Sequence, residues 1–116
     1  MENLVCLIGR LTADIELQNY GKGKNSGVYT RFSLAVNDGK DSEGESKAIF
    51  VPCTAFNGSA EILDEYCGKG DMVAIQGRLA VSEYDDKEGN HRKTMYVSVN
   101  NVKLLPNGER KKTSKK

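Results

Sequence analysis

Two phenylalanines on one face of a predicted β-strand are the residues whose chemistry is clearest from the sequence. In the segment AIFVPCTAFNG, residues 48–58, Phe50 and Phe56 fall on one side at period two, while Ile49 and Val51 begin an apolar face on the other. That apolar face is enough to bury the strand without the phenylalanines. Flat rings exposed on a sheet can stack on nucleobases, a contact that contributes about 1–3 kcal/mol per base.

Arginines alternate onto the same kind of face. Tyr29 and Arg31 project opposite the core-facing Phe32, and Tyr84 shares a face with Arg78. Guanidinium groups pair with phosphates and stack on rings, so aromatic residues interspersed with arginines favour binding of a single-stranded nucleic acid. Further cations in predicted loops could follow a sugar-phosphate backbone, although each is also an ordinary surface charge: Lys22, Lys24, Lys87, Arg92 and Lys93.

The aromatic face has two other interpretations. It could form an interface between protein subunits, or close a second small core beneath the loops. Tyr84, beside a charged hairpin turn, is assigned to the binding face. The remaining tyrosines outside the Tyr29 strand are assigned structural roles: Tyr20, Tyr66 and Tyr96.

Catalytic residues and metal ligands are not predicted. The one histidine, His91, lies beside a turn with no nucleophile placed to use it. Adjacent carboxylates at 64–65 and 85–86 are explained by an exposed helix face and a turn. Neither a Gly-rich phosphate loop nor metal-ligand spacing is present. We therefore expect no enzyme activity, no cofactor and no metal.

Composition indicates one small domain with little overall charge. The chain has 116 residues, 38% of them hydrophobic, and no apolar run long enough to cross a bilayer, so no membrane association is expected. The net charge of +1 divides into −3 for residues 1–105 and +4 for residues 106–116. A polyanion would therefore bind a local stripe of cations. The three cysteines lack C-x-x-C spacing and predict buried thiols in a cytoplasmic protein: Cys6, Cys53 and Cys67.

The elements that must position these residues are five strands and one helix. Alternation predicts strands over 3–11, 28–37, 48–56, 72–84 and 91–105, the last one bent near Asn100 and Asn101. A short helix follows the third strand, with Asn57 or Ser59 as its N-cap. This order predicts an all-β OB-fold, a five-stranded Greek-key barrel with one short helix between strands 3 and 4. It spans residues 1–105, and residues 106–116 are predicted to form a basic flexible tail.

Four segments resemble the bacterial and phage-type single-stranded DNA-binding protein (SSB) family. They are LIGRLTADIEL (7–17), RFSLAVN (31–37), FVPCTAFNGSAEILDEYCGKGDMVAIQGRL (50–79) and YDDKEGNHRKTMYVSVNNVKLL (84–105). The resemblance implies an OB-fold homotetramer with single-stranded DNA wrapped over its subunits. It also implies site residues, with base-stacking positions at Phe50, Phe56 and Tyr84, and commonly basic positions near DNA at Arg10, Arg31 and Arg78.

The function implied by this resemblance is sequence-independent binding and protection of single-stranded DNA in replication, recombination and repair, in the cytoplasm at the nucleoid. Three features depart from the family: the absence of tryptophan, Pro52 within the third strand, and a basic end where the family carries an acidic tip. Recruitment of replication and repair enzymes through such a tip is expected to be absent. A dimeric primosomal-type OB protein and an OB module that binds protein through the aromatic face remain alternatives.

Overall fold

The computed structural model describes residues 2–106, most of which are in β-strands. From residue 107 on, the predicted tail lies outside this range. The elements in chain order are β1 (Val5–Leu11), β2 (Gln18–Tyr20), a 3₁₀ turn (Gly23–Asn25), β3 (Gly27–Lys40), β4 (Ser46–Phe56), α1 (Asn57–Tyr66), β5 (Met72–Asp85) and β6 (His91–Leu104). Within residues 2–106, none of the helices has the length and apolar character that crossing a membrane requires.

The strands form one closed sheet with the predicted topology. Their order is β1-β5-β6-β4-β3-β2, and a further pairing of β1 with β3 closes the barrel. All neighbouring strands are antiparallel except β4 and β6, which run parallel at 53–55 and 97–99. The five long strands with one helix between the third and fourth confirm the all-β OB-fold. Between the first two predicted strands, around the predicted loop lysines Lys22 and Lys24, the structure adds the short strand β2 and the 3₁₀ turn.

The barrel core is filled by alternate residues of the long strands and is closed at one end by α1. Leu34, Val73 and Val97 are fully buried or nearly so, and Leu63 of α1 is completely buried against them. The helix packs on β3, β4 and β6. Its N-cap residue is Phe56, with no side-chain cap hydrogen bond, so the prediction that Asn57 or Ser59 caps the helix is wrong.

At two glycines the backbone of a neighbouring strand comes too close for any side chain. A Cβ atom at Gly9 would collide with the carbonyl oxygen of Ala35, and one at Gly77 with that of Ser98. At Gly77 the pairing of β5 with β6 shifts register, so that Asn100 is an extra residue in β6. Such a bulge bends and twists a strand. It accounts for the predicted bend near Asn100 and Asn101.

The structure explains how β4 accommodates Pro52, and it shows which of the cysteines are buried. Pro52 pairs with Ser33 of β3, and pairing of β4 with β6 begins only at Cys53. The second edge of β4 is therefore open at Pro52, which suits a residue without an N–H group. Cys53 and Cys67 are buried as predicted, but Cys6 is exposed on β1, so the prediction of a buried thiol there is wrong.

Candidate nucleic-acid interface

A groove opens where β4 and β6 separate. The two strands pair only at 53–55 with 97–99. Before that point, residues 46–52 of β4 pair only with β3, and residues 91–96 of β6 pair only with β5. Two long hairpin arms therefore diverge from the barrel and leave a groove of about 980 Å³ between them.

The groove has an aromatic wall and a wall rich in hydroxyl groups. Its aromatic wall comes from β2, β3 and β4 and contains Tyr20, Tyr29 and Phe56, together with Arg31. Hydroxyl groups from both arms line the remainder, along with Phe32, Pro52 and Cys53: Ser33, Thr54, Ser82, Thr94 and Tyr96. Hydroxyl groups both donate and accept hydrogen bonds, so this lining is compatible with the edges of different bases.

Tyr20, Tyr29 and Phe56 form an aromatic trio. Each pair of ring centroids is 6.2 Å apart, with Tyr20 edge-on to Phe56 at an interplanar angle of 78°. Strand register creates the cluster, because Tyr29 is paired directly with Phe56 and Tyr20 with Gly27. Phe56 keeps 42% of its surface exposed although it contacts both tyrosines. The three rings therefore pack on one another, and Phe56 remains accessible from the groove.

Arg31 and Arg78 lie on one face of the sheet at opposite sides of the parallel pair. The register runs from Arg31 to Thr54, from Thr54 to Ser98, and from Ser98 to Arg78. Three strand spacings separate their backbones by about 14 Å. The Arg31 guanidinium carbon lies 5.4 Å from the centre of the Tyr29 ring, within the range of a cation–π interaction. Of the predicted cations, Arg31 therefore lies beside the aromatic trio, and Arg78 lies on the same face across the parallel pair.

Phe50 lies outside the groove, further along the β3–β4 arm. It is 65% exposed, and its register partner Ala35 is paired in turn with Arg10. Phe50 and Arg10 therefore share a face, while Arg10 also donates a hydrogen bond of 3.0 Å to the carbonyl oxygen of Gly70. Phe56 comes six positions after Phe50, about 20 Å along the strand.

Tyr84 lies on the other arm, beside the turn that ends it. Tyr84 is 53% exposed, and its register partner is Arg92. The Nε of Arg92 donates a hydrogen bond of 2.9 Å to a carboxylate oxygen of Asp86, so Arg92 forms an ion pair with the turn. Hydrogen bonds from the backbone N–H of Asn90, then from Arg92 and the backbone N–H of Glu88, hold the pKa of Asp86 below its usual 3.8.

The opposite face of the β5–β6 arm is acidic. Ring nitrogens of His91 lie 2.9 Å from a carboxylate oxygen of Glu83 and 3.2 Å from one of Asp85. Lys93 is paired with Glu83 and so belongs to this face, not to the face of Thr94 and Tyr84. The carboxylates of Glu83 and Asp85 on this face would repel a phosphate backbone. The structure thus separates Lys93 from the other predicted site residues.

The predicted loop lysines are exposed, but they are dispersed. Lys22 and Lys24 lie in the connection after Tyr20, next to the aromatic trio in the chain. Lys87 lies at the far end of the β5–β6 arm, in the turn that contains Asp86.

Tyr20 and Tyr96 are groove residues to which the sequence assigned only structural roles. Tyr20 belongs to β2, a strand of three residues whose pattern is too short to recognise. Tyr96 could have been found, because the turn at 86–90 fixes the hairpin register and pairs Tyr96 with Ala80, on the face of Ser82 and Tyr84. Tyr66 is on α1 and does not line the groove.

The Cys53 thiol at the groove is chemically quiet. Burial raises the pKa of Cys53 to about 12, so the side chain stays protonated and donates to the carbonyl oxygen of Val51 at 3.4 Å. A thiol is nucleophilic only as the thiolate. Among residues 2–106, His, Cys, Asp and Glu side chains form no group of three or more that could hold a metal ion.

Comparison with known proteins relates the whole barrel to one family. The sequence model described as "Single-strand binding protein family" matches residues 2–105. "Single-stranded DNA-binding protein 2" of Staphylococcus aureus (strain COL) is 37% identical over 106 residues, which cover 90% of this chain and 74% of that protein. "Single-stranded DNA-binding protein" of Fusobacterium nucleatum subsp. nucleatum is 38% identical over 115 residues, covering 97% of this chain and 70% of that protein.

A third relative matches nearly from end to end. "Single-stranded DNA-binding protein B" of Bacillus subtilis (strain 168) is 33% identical over 115 residues, which cover 98% of this chain and 99% of that protein. The relatives are named for binding and not for catalysis, in agreement with the prediction that the chain is a binding protein and not an enzyme. With a family match across the barrel and relatives at this identity, the chain belongs to the Single-strand binding protein family.

Proposed function

We propose that the protein binds and protects single-stranded DNA without regard to sequence, in replication, recombination and repair. The observation that carries the proposal is the groove wall in which the aromatic trio stands beside Arg31. Single strands bind to OB-folds by stacking successive bases on rings while cations hold the phosphates. The names of the relatives support single-stranded DNA as the ligand.

The path of the DNA follows the exposed rings. It runs from Phe50 on one arm, through the groove at Phe56, to Tyr84 on the other arm. The distance of about 20 Å between the two phenylalanines leaves room for several extended nucleotides. Such a path fits the 4–16 nucleotides that OB-folds typically cover.

Phosphate binding depends on local charge, since residues 1–105 carry a net charge of −3. Arg31 and Arg78 flank the parallel pair, and Arg10 shares the face of Phe50. Lys22 and Lys24 extend the positive side past the trio, and Lys87 and Arg92 stand at the end of the second arm. The acidic face that carries Glu83 and Asp85 stays away from DNA.

The central experiment compares oligo-dT with a duplex of matched length for the parent protein and alanine variants. We expect strong preference for the single strand. Phe50→Ala, Phe56→Ala and Tyr84→Ala should each weaken binding by about 1–3 kcal/mol, since each removes one stacking surface. Affinity is measured by anisotropy of a dye-labelled oligonucleotide, and folding by thermal unfolding.

Tyr66→Ala is the matched control, because Tyr66 is 51% exposed on α1 and lies outside the groove. This variant should bind like the parent. The stacking proposal would be contradicted if the parent bound duplex as tightly as the single strand. It would also be contradicted if the three alanine variants at Phe50, Phe56 and Tyr84 all bound oligo-dT as tightly as the parent. No affinity at low salt would favour an OB module that binds protein.

Assembly into a homotetramer belongs to the same proposal. Large apolar side chains are exposed on the single chain, including Leu4 at 64%, Ile8 at 56% and Met95 at 60%. Apolar surface of this kind is typical of subunit contacts. The mass in solution tests this directly: four chains would support the proposal, and two chains would favour the dimeric primosomal-type alternative. The same proposal includes localisation of the protein in the cytoplasm, at the nucleoid.

A further inference from the structure

Asn57 is held in an unusual conformation directly after the groove residue Phe56. Its φ of +49° is the single positive value at a non-glycine residue among residues 2–106. The left-handed region is unfavourable for a non-glycine residue and is best tolerated by asparagine and aspartate. The strain needs compensation from the contacts of the Asn57 side chain.

The Asn57 amide joins three segments of the fold. Its Oδ1 accepts a hydrogen bond of 3.1 Å from the backbone N–H of Val28, at the start of β3. Its Nδ2 donates a hydrogen bond of 2.9 Å to the hydroxyl oxygen of Tyr20, at the end of β2. The side chain therefore does not cap α1 but ties Tyr20 to the junction between β4 and α1.

Gly27 gives Tyr20 the room for this position. It is the register partner of Tyr20, and a Cβ atom there would collide with the Tyr20 ring and with Oδ1 of Asn57. The tyrosine thus lies across bare backbone. Because β2 has only three residues, its ladder alone holds Tyr20 weakly, and the bond from Asn57 supplies the second anchor.

Tyr20 in turn supports the groove rings. It meets Phe56 edge-on at 78° and Tyr29 at 43°, each with centroids 6.2 Å apart. Edge-to-face and tilted contacts restrict the rotamers of both partners. Rings ordered before the ligand arrives lose less conformational entropy when a base stacks on them.

We propose that Asn57 is a positioning residue that holds Tyr20 against Phe56 and so keeps the aromatic trio assembled as a stacking surface for an unpaired base. The inference rests on the proposed function, and it adds Tyr20 and Tyr29 to the stacking surface. Asn57 itself does not contact the base. It acts through the hydroxyl group of Tyr20.

A double-mutant cycle tests this positioning role. Asn57→Gly keeps the left-handed backbone accessible and removes the amide, whereas Tyr20→Phe keeps the ring and removes the hydroxyl group. Each single variant should weaken binding of dye-labelled oligo-dT about two- to tenfold, the effect of one hydrogen bond. Both variants remove the bond between Asn57 and Tyr20, and Asn57→Gly also removes the bond to Val28. Adding Tyr20→Phe to Asn57→Gly should therefore weaken binding no further, and the two effects should not multiply.

Tyr66→Phe, which removes a hydroxyl group on α1, is the control and should retain parental affinity. Thermal unfolding of every variant separates positioning from general stability, since a purely structural role would lower the melting temperature without changing affinity. Parental affinity in both single variants, or effects that multiply in the double variant, would overturn the inference while the parent still binds. A parent that fails to bind oligo-dT would instead overturn the proposed function, and the inference with it.

Discussion

Thr30 has a buried hydroxyl group that destabilises the fold, and its position follows from the residues on either side of it. Tyr29 and Arg31 face the groove, so the alternation of β3 turns the residue between them into the core. Thr30 is completely buried, and its hydroxyl has no hydrogen-bond partner within residues 2–106. A buried hydroxyl without a partner costs about 1–3 kcal/mol. β-Branching suits the strand, but the oxygen atom does not suit the core.

Thr30→Val should therefore stabilise the protein. The valine keeps the branched shape and replaces the hydroxyl with a methyl group, so the free energy of unfolding should rise by about 1 kcal/mol. Chemical denaturation measures this change. Thr12→Val is the matched control, because the Thr12 hydroxyl donates to the carbonyl oxygen of Ser33 at 3.2 Å and its loss should destabilise the protein. A Thr30→Val protein less stable than the parent would contradict the assignment.

At the scale of elements, the two long hairpins end in the same kind of turn. DSEGE at 41–45 and DKEGN at 86–90 each begin with an aspartate whose Oδ1 accepts two backbone N–H groups, two and four residues later. Each turn has a glycine at positive φ, Gly44 at +81° and Gly89 at +84°. These turns fix hairpin register, and thereby the faces on which Phe50 and Tyr84 lie.

Acid should loosen the second turn. The pKa of Asp86 is lowered in the folded protein. The carboxylate therefore stabilises the turn fully at pH values well above 3.8, and this stabilisation is lost as the pH falls through the lowered pKa of the folded state. Amide exchange at Glu88 and Asn90, followed by NMR between pH 6 and pH 2, should speed up in that window after correction for intrinsic rates. In Asp86→Asn the turn amides should show no such dependence. Unchanged protection in the parent at the lowest pH would contradict this prediction.

At the scale of the molecule, binding of a polyanion by a barrel of net charge −3 must depend on where the cations stand. Arg31 and Arg78 share the groove-side face, whereas Lys93 lies among the carboxylates of the opposite face. Salt dependence reports such contacts one by one. For single strands, the slope of log K against log salt changes by about 0.7 for each phosphate contact.

Arg31→Gln and Arg78→Gln should each lower the magnitude of that slope by about 0.7, because each removes one cation from the DNA path. Oligo-dT titrations at several salt concentrations give the slope. Lys93→Gln is the control of equal charge change and should leave it unaltered. A larger change for Lys93→Gln than for the arginine variants would mean that DNA follows the other face of the arm.

The period-two alternation of the long strands determined much of the fold and part of the site. A strand sends successive side chains to opposite faces whatever the rest of the chain does, so Phe50 with Phe56, and Tyr29 with Arg31, could be assigned to the outer face from the sequence. The order of strands around one helix likewise determined the fold class. These properties depend on local chain geometry.

Only the tertiary structure decided which of those residues meet. The groove exists because β4 and β6 pair over three positions and then diverge, which depends on how the barrel closes between distant segments. Tyr20 reaches Asn57 across 37 positions of sequence, through a strand too short to be recognised. Alternation put Phe50 on the face of Phe56, and Lys93 was counted among the cations that could follow the DNA, yet neither residue lines the groove. Non-local contacts of this kind depend on packing, which local patterns do not encode.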